Sequence, residues 1–221
     1  MHPSSKHTRA FTFIEMLVTM TLVAILAGIA YPAFISIMER ARKTQAKNDL
    51  TQIVTAVNAF YTDYGRYPAS ATATDDSCFS WNIPGAPQTG PYNDKLLNEL
   101  RACTATDTSC SAAASLNTRQ IVYLSPPIVQ DPSNPKSGIG TIDLSSPKGT
   151  YYDPWGVPYN VEIDTNYDNG VPNPYVALGG SGAGVDPVRQ GVIGWSNGKD
   201  LQVGTNGNNT YTGSNDVISW Q

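Results

Sequence analysis

The sequence predicts an α+β chain in which one long amino-terminal helix, first transmembrane and then amphipathic, packs on a small antiparallel β-sheet. Three patterns predict it. Ala10 to Met38 is almost wholly apolar, and no charged residue falls between Met16 and Met38. From Leu50 to Tyr64 apolar residues recur three and four apart, the spacing of one helix face. Beyond Ile121, short apolar runs alternate with Gly, Pro, Asn and Asp, the punctuation of strands and tight turns.

The apolar run comes first because it limits everything else. Roughly 20 apolar residues in a helix cross a bilayer, and lipid admits only helices and closed barrels. Residues 11–38 are therefore expected to form a membrane helix, with a kink or loosened turn near Gly28–Pro32 where proline removes a donor. Glu15 is the awkward residue. A carboxylate at the bilayer centre costs about 2.5–3.5 kcal/mol, so Glu15 needs a partner. Headgroup water is one. A cation is the other: Met1–Ala10 carries Lys6 and Arg9 and no acid, and a cut after Ala10 would create an α-amino group on Phe11, four residues before Glu15. In a bundle of such helices this amine could neutralise a neighbour's Glu15. Leaving one member of a buried pair alone is heavily penalised, so pairing would fix the stagger between subunits. Lys6 and Arg9 before the span place the amino end in the cytoplasm and the body outside.

Lys6-His7-Thr8-Arg9-Ala10-Phe11-Thr12-Phe13-Ile14-Glu15 with its apolar run resembles the processing and methylation site of type IV pilins and type II secretion pseudopilins. The resemblance implies that residues 1–10 are a leader removed by prepilin peptidase between Ala10 and Phe11. It also implies N-methylation of Phe11 and a role for Phe11 and Glu15 in assembly. Ala10 stands where glycine is usual in that family. A conventional secretory signal fits less well, because its cut follows the apolar segment.

Charge narrows the chemistry. The chain has fourteen basic and eighteen acidic residues, and Lys6, Arg9, His2 and His7 all lie in the leader, so a mature chain would stand near −6 without histidine. Ser-His-Asp and Cys-His catalysis and histidine-ligated metals are then excluded, and no enzyme is expected. An acidic body also disfavours nucleic acid as a partner.

Residues 39–68 read as an amphipathic stalk and turn: Leu50, Val54, Val57, Tyr61 and Tyr64 form the stripe, Ile53 and Phe60 widen it, and Gly65 and Pro68 end it. Arg40, Arg42, Lys43 and Lys47 read as a solvated interfacial face, or alternatively as a contact for acidic surfaces of adjacent subunits. The segment Gln45–Pro68 is similar to the end of the first helix in pseudopilins.

Residues 69–120 read as a variable, loop-rich region with one short helix over Tyr92–Leu100. Cys78, Cys103 and Cys110 lie here. Outside the cytoplasm Cys103 and Cys110 could close a small loop by a disulfide, although three cysteines leave the pairing open.

Residues 121–221 read as the sheet and its tail, with strands expected at Ile121–Leu124, Val157–Ile163, Tyr175–Leu178 and Gly191–Trp195. Tyr151–Tyr159 contains Asp153-Pro154-Trp155-Gly156, a turn before a strand with Trp155 covering the sheet edge. The same pattern recurs in major pseudopilins at the entry to their sheet. The glycine run 179–184 lacks the Lys-Ser/Thr of a phosphate loop and reads as a flexible connector. In the tail, short oxygen-bearing side chains and turns suit calcium, which takes six to eight oxygens. Likeness to the major pseudopilins implies a structural calcium held by Asp200 and Asp216, although Leu201 replaces the usual glycine and Asn215 a common second acid.

These readings converge on a structural subunit, similar above all to the major pseudopilin of type II secretion, that would build a periplasmic pseudopilus for protein export. Its partners would be other copies of itself, prepilin peptidase, an inner-membrane assembly platform, minor pseudopilins and the membrane. It would sit in the inner membrane by a single span, with the body in the periplasm. One alternative is a type IV pilin of a surface filament for adhesion, motility or DNA uptake. Another, of a different class, is a membrane-anchored carbohydrate-binding module using Trp155, Trp195 or Trp220.

Overall fold

The computed structural model describes residues 11–69, 76–79, 92–205 and 208–221. Helix α1 runs over Phe13–Tyr64, without a break in helical assignment at Gly28–Pro32. The chain divides into two compact units, one ending at Ala41 and the other covering Arg42–Gln221, and α1 contributes to both. In the first unit the described apolar side chains, from Phe11 and Phe13 through Leu26 to Met38, are exposed. The apolar part of α1 is long and apolar enough, by length and composition, to cross a membrane.

The second unit is the body. Its antiparallel sheet has the order β1 (Ser77–Phe79), β4 (Asn160–Ile163), β5 (Val192–Ser196), β6 (Val217–Ile218). Register pairs Phe79 with Val161, Asn160 with Trp195 and Ser196 with Val217. A two-stranded sheet, β2 (Gly138–Ile139) with β3 (Tyr151–Tyr152), lies beside it in sequence order. Both faces of the main sheet are covered, which is why β5 is buried along its whole length. On one face Leu50, Ile53, Val57 and Phe60 of α1 join Leu96, Leu97 and Leu100 of helix α2 (Asp94–Leu100), with Val161, Val192 and Val217. On the other, Ile193, Trp195 and Ile218 join Tyr175 of the short helix α3 (Pro174–Ala177), with Val171, Val188 and Val203. Gly194 lies where α1 crosses β5, and a Cβ there would make a tight contact with Leu50 Cδ2 at 3.1 Å.

The buried stripe on α1 is centred on Leu50, Ile53, Val57 and Phe60, with Ala46 and Ala56. Val54 and Tyr64 lie at its margin, and Tyr61 is exposed, stacking on Tyr67 with ring centroids 4.6 Å apart. Several strand assignments change. Ile121–Leu124 is not a strand, because its polar groups are used locally. Asn117 brackets Ile121 through both ends of its amide, and Tyr123 and Leu124 donate to the Leu100 carbonyl. Tyr175–Leu178 lies in α3 and its C-cap instead. Pro174 opens that helix, and Asn173 Oδ1 caps it by accepting from the Tyr175 N–H at 3.2 Å. The strand expected over Val157–Ile163 begins at Asn160, and β1 adds an edge strand in the region read as loop. The glycine run is mostly exposed but anchored at Ala183, which is fully buried and whose carbonyl accepts from Trp220 Nε1.

Candidate functional site

At the start of α1, Thr12 precedes the first helical residue and Glu15 is the third position of the helix. The Glu15 Oε2 atom accepts from the Thr12 N–H at 2.8 Å and from the Thr12 hydroxyl at 2.8 Å. The Glu15 N–H in turn donates to Thr12 Oγ1 at 3.3 Å. This reciprocal arrangement is a capping box, which satisfies two of the donors that every helix start leaves open. Phe11 is 79 % exposed just before it. Ala10, and with it the bond expected to be cut, lies outside the described residues.

In the body, Asp153 organises the turn read from the sequence. It is fully buried, and its Oδ1 accepts from the N–H groups of Trp155, Gly156 and Val157 at 2.8–2.9 Å. Its Oδ2 accepts from Ser196 Oγ on β5, which ties the turn to the sheet. Gly156 has φ +96°, a conformation other residues avoid, and a Cβ there would press on the Pro135 carbonyl at 3.0 Å. Trp155 is partly buried against the core. Asn93 does similar work nearby, bonding Tyr151 through its N–H and carbonyl and also the Tyr159 carbonyl. The turn at Asp153–Gly156 was read from the sequence, but not the bonding role of Asp153; Asn93 was missed, and nothing local marks it.

The tail brings Asp216 to the buried side of β6 while Asp200 is exposed at the end of a 3-10 turn, Gly198–Asp200. Asp216 Oδ2 accepts from the Tyr175 hydroxyl and the Gly204 N–H, both at 2.7 Å. Its Oδ1 is buried and accepts from no group of the described residues. Burial first, and the Asp200 charge after the two hydrogen bonds that oppose it, push the Asp216 carboxyl up to about 7. Leu201 adopts φ +63°, the left-handed conformation for which glycine is the usual residue. Asn215 Oδ1 is already engaged by the Lys199 N–H. The buried Asp216 Oδ1, left without a donor among the described residues and close enough to feel the Asp200 charge, is an oxygen that suits a hard cation, although the Lys43 ammonium also acts on this carboxylate.

Lys43 and Lys47 are neither a solvated face nor a free contact. Lys43 Nζ donates to the Ser214 carbonyl at 3.2 Å, and Lys47 Nζ donates to the carbonyls of Ile218, Ser219 and Gln221. They fasten the tail to α1. Cys103 and Cys110 are joined by a disulfide with Cα atoms 6.1 Å apart. Arg101 packs along that loop, donating to the Ser109 carbonyl and hydroxyl. Cys78 sits on β1, outside this bond. Of the tryptophans considered as a sugar platform, Trp195 is fully buried and Trp220 is packed edge-on against it at 6.5 Å, so the three present no shared exposed face.

Residues 5–31 match the family description "prokaryotic N-terminal methylation motif". A stretch of 59 residues is 37 % identical to the "Type IV major pilin protein PilA" of Myxococcus xanthus, covering 27 % of this chain and 27 % of that protein. The match thus spans about a quarter of the curated relative's length. No solved structure matches the chain.

Proposed function

With an amino-terminal segment of the type IV pilin and pseudopilin family on an α+β body as the premise, we propose that the chain is a structural subunit of a pilus-like filament. The observation that carries this is the methylation motif at residues 5–31 running into a helix whose apolar side chains are exposed. Such a surface suits lipid in the stored subunit and other copies of the same helix in the filament. Prepilin peptidase cuts between Ala10 and Phe11, the Phe11 amine is methylated, and Glu15 accepts the amine of a neighbouring copy. The body stands on the periplasmic side and forms the filament's outer layer.

Within that reading, the finer assignment is a major-pseudopilin-like subunit of a type II secretion system. It is supported by the Asp153–Gly156 corner at the sheet entry and by the buried, unpartnered Asp216 oxygen of the tail; in this reading Asp200 and Asp216 would hold a structural calcium. The likeness to a type IV major pilin favours the second reading, a surface filament. Recovery of the protein from cells tests the common core. It should begin at a methylated Phe11, and Glu15→Val should leave that cut intact while filaments disappear. A protein beginning at Met1, or normal filaments from Glu15→Val, refutes the proposal. Loss of protein export on deletion supports the pseudopilus; loss of surface filaments with export intact supports the pilus.

A further inference from the structure

We propose that the cleft between α1 and the tail, with Lys43 and Lys47 in its wall, binds the phosphate of an anionic phospholipid headgroup. The cleft has a volume of about 440 Å³, room for a ligand of that size. It is lined by Lys43, Thr44, Lys47 and Asn48 of α1 and by Tyr211, Asp216 and neighbouring residues of the tail. All of them belong to the unit Arg42–Gln221.

Two cations and a single acid line this space. Both ammonium groups donate to backbone carbonyls, which carry no charge. Lys47 Nζ reaches Ile218 at 2.7 Å, Ser219 at 3.3 Å and Gln221, which occupies all of its protons. Lys43 Nζ reaches Ser214 at 3.2 Å and keeps donors for a ligand. Burial alone pulls the Lys47 ammonium below its ordinary value, with no acid opposing the shift. The acid of the lining, Asp216, accepts through Oδ2 from Tyr175 and Gly204, and Lys43 acts on it least among the groups around it. A half-buried pair of cations held only by carbonyls suits a compact anion with several oxygens, and lysine meets phosphate as a point charge. Position supplies the source. Lys43 and Lys47 follow Met38, the end of the apolar run, by five and nine residues. Five residues of chain reach at most about 18 Å in any conformation, and the headgroup layer is itself roughly 5–7 Å deep. A lipid phosphate is thus at hand, whereas a free one must be drawn from solution. This choice of lipid rests on the membrane reading of the apolar run proposed above, and not on filament assembly.

The test uses the full chain in nonionic detergent micelles, with a chelator present so that calcium takes no part. Added phosphatidylglycerol should shift the amide resonances of Thr44, Asn48 and Ser214 to saturation, and glycerol phosphate should need roughly ten-fold more or fail. Lys43→Gln should weaken lipid binding roughly 10–100-fold, the worth of one charge-assisted hydrogen bond. That variant also loosens Ser214, so Asn48→Asp is the second. It lies at an exposed position, leaves the recorded bonds of both lysines in place, and should weaken binding roughly five-fold by its added charge. No saturable shift, or equal affinity in the wild type and Asn48→Asp, overturns the site. Equal affinity for glycerol phosphate overturns the lipid and leaves a free phosphate. Shifts that follow protein concentration without lipid mean that a second copy fills the cleft, which also overturns it. A chain that stays soluble without detergent refutes the membrane reading, and the lipid falls with it; missing filaments bear on the filament reading alone.

Discussion

Glu162 and Asp153 show how differently two inward carboxylates on one small body can be treated. Asp153 receives four donors and knits a turn to β5. Glu162 sits on β4 opposite Cys78 and Ile193, where burial first, and then the charges of Asp76 and Asp186, push its carboxyl up to about 8. The consequence for stability has a definite sign. The folded Glu162 holds its proton to about pH 8, whereas an ordinary glutamate releases it near 4.5. Its contribution is therefore whole below that lower value and is lost as pH rises through the window between them. Glu162→Gln should flatten the stability of the body over that window and leave the variant more stable than the wild type at pH 8. Urea denaturation at pH 5 and pH 8 checks this; parallel losses in variant and wild type would contradict it. Little of this was legible in the sequence. Glu162 reads as an ordinary polar residue in a strand of alternating character, and the acids that surround it come from residues 76 and 186, far away along the chain.

Among the elements, α1 and α2 were legible because helix periodicity is a local property. Leu50, Ile53, Val57 and Phe60 repeat along one face whatever covers them. The strands were less so. Strands of two to five residues carry too few alternations to be told from turns, and α3 was mistaken for one because Tyr175-Val176-Ala177-Leu178 is a short apolar run. The cap on Asn173 and the proline at its first position decided otherwise. The loop 103–110 depends on a covalent constraint in place of a core. With a sequence separation of 7, closing it restricts the unfolded chain by roughly 2–3 kcal/mol. Replacing both Cys103 and Cys110 by serine should cost the body that amount in chemical denaturation. Added reductant should cost the wild type the same and the double variant nothing. An unchanged midpoint in the double variant would show that Arg101 and Asp107 already hold the loop without it.

At the scale of the whole molecule, the body is a sheet covered on both faces, and the second cover is built from residues 171–188 together with the tail. Val203, Ile218 and Trp220 pack there with Tyr175 and Trp195, and Lys43 and Lys47 pin the tail's carbonyls. Asp216 lies within this cover, its Oδ2 satisfied by Tyr175 and Gly204 and its Oδ1 by nothing in the described chain. A buried carboxylate oxygen without a donor is destabilising, and a hard cation shared with Asp200 would reverse the sign of that contribution. Binding to the folded state alone stabilises by mass action, by about 2.7 kcal/mol at a free calcium concentration a hundred times Kd. Chelation should therefore lower the melting temperature of the body by several degrees, and calcium should restore it where magnesium, which prefers a smaller octahedral shell, does not. Asp200→Ala should abolish this response while leaving the metal-free melt close to the wild type, because Asp200 is exposed and accepts from the nearby Gln202 N–H. Asp216→Ala should abolish it too, but with a lower metal-free melt, since Tyr175 and Gly204 lose their acceptor. A melt indifferent to chelator in the wild type would mean that the tail is held by its lysines and aromatic packing alone.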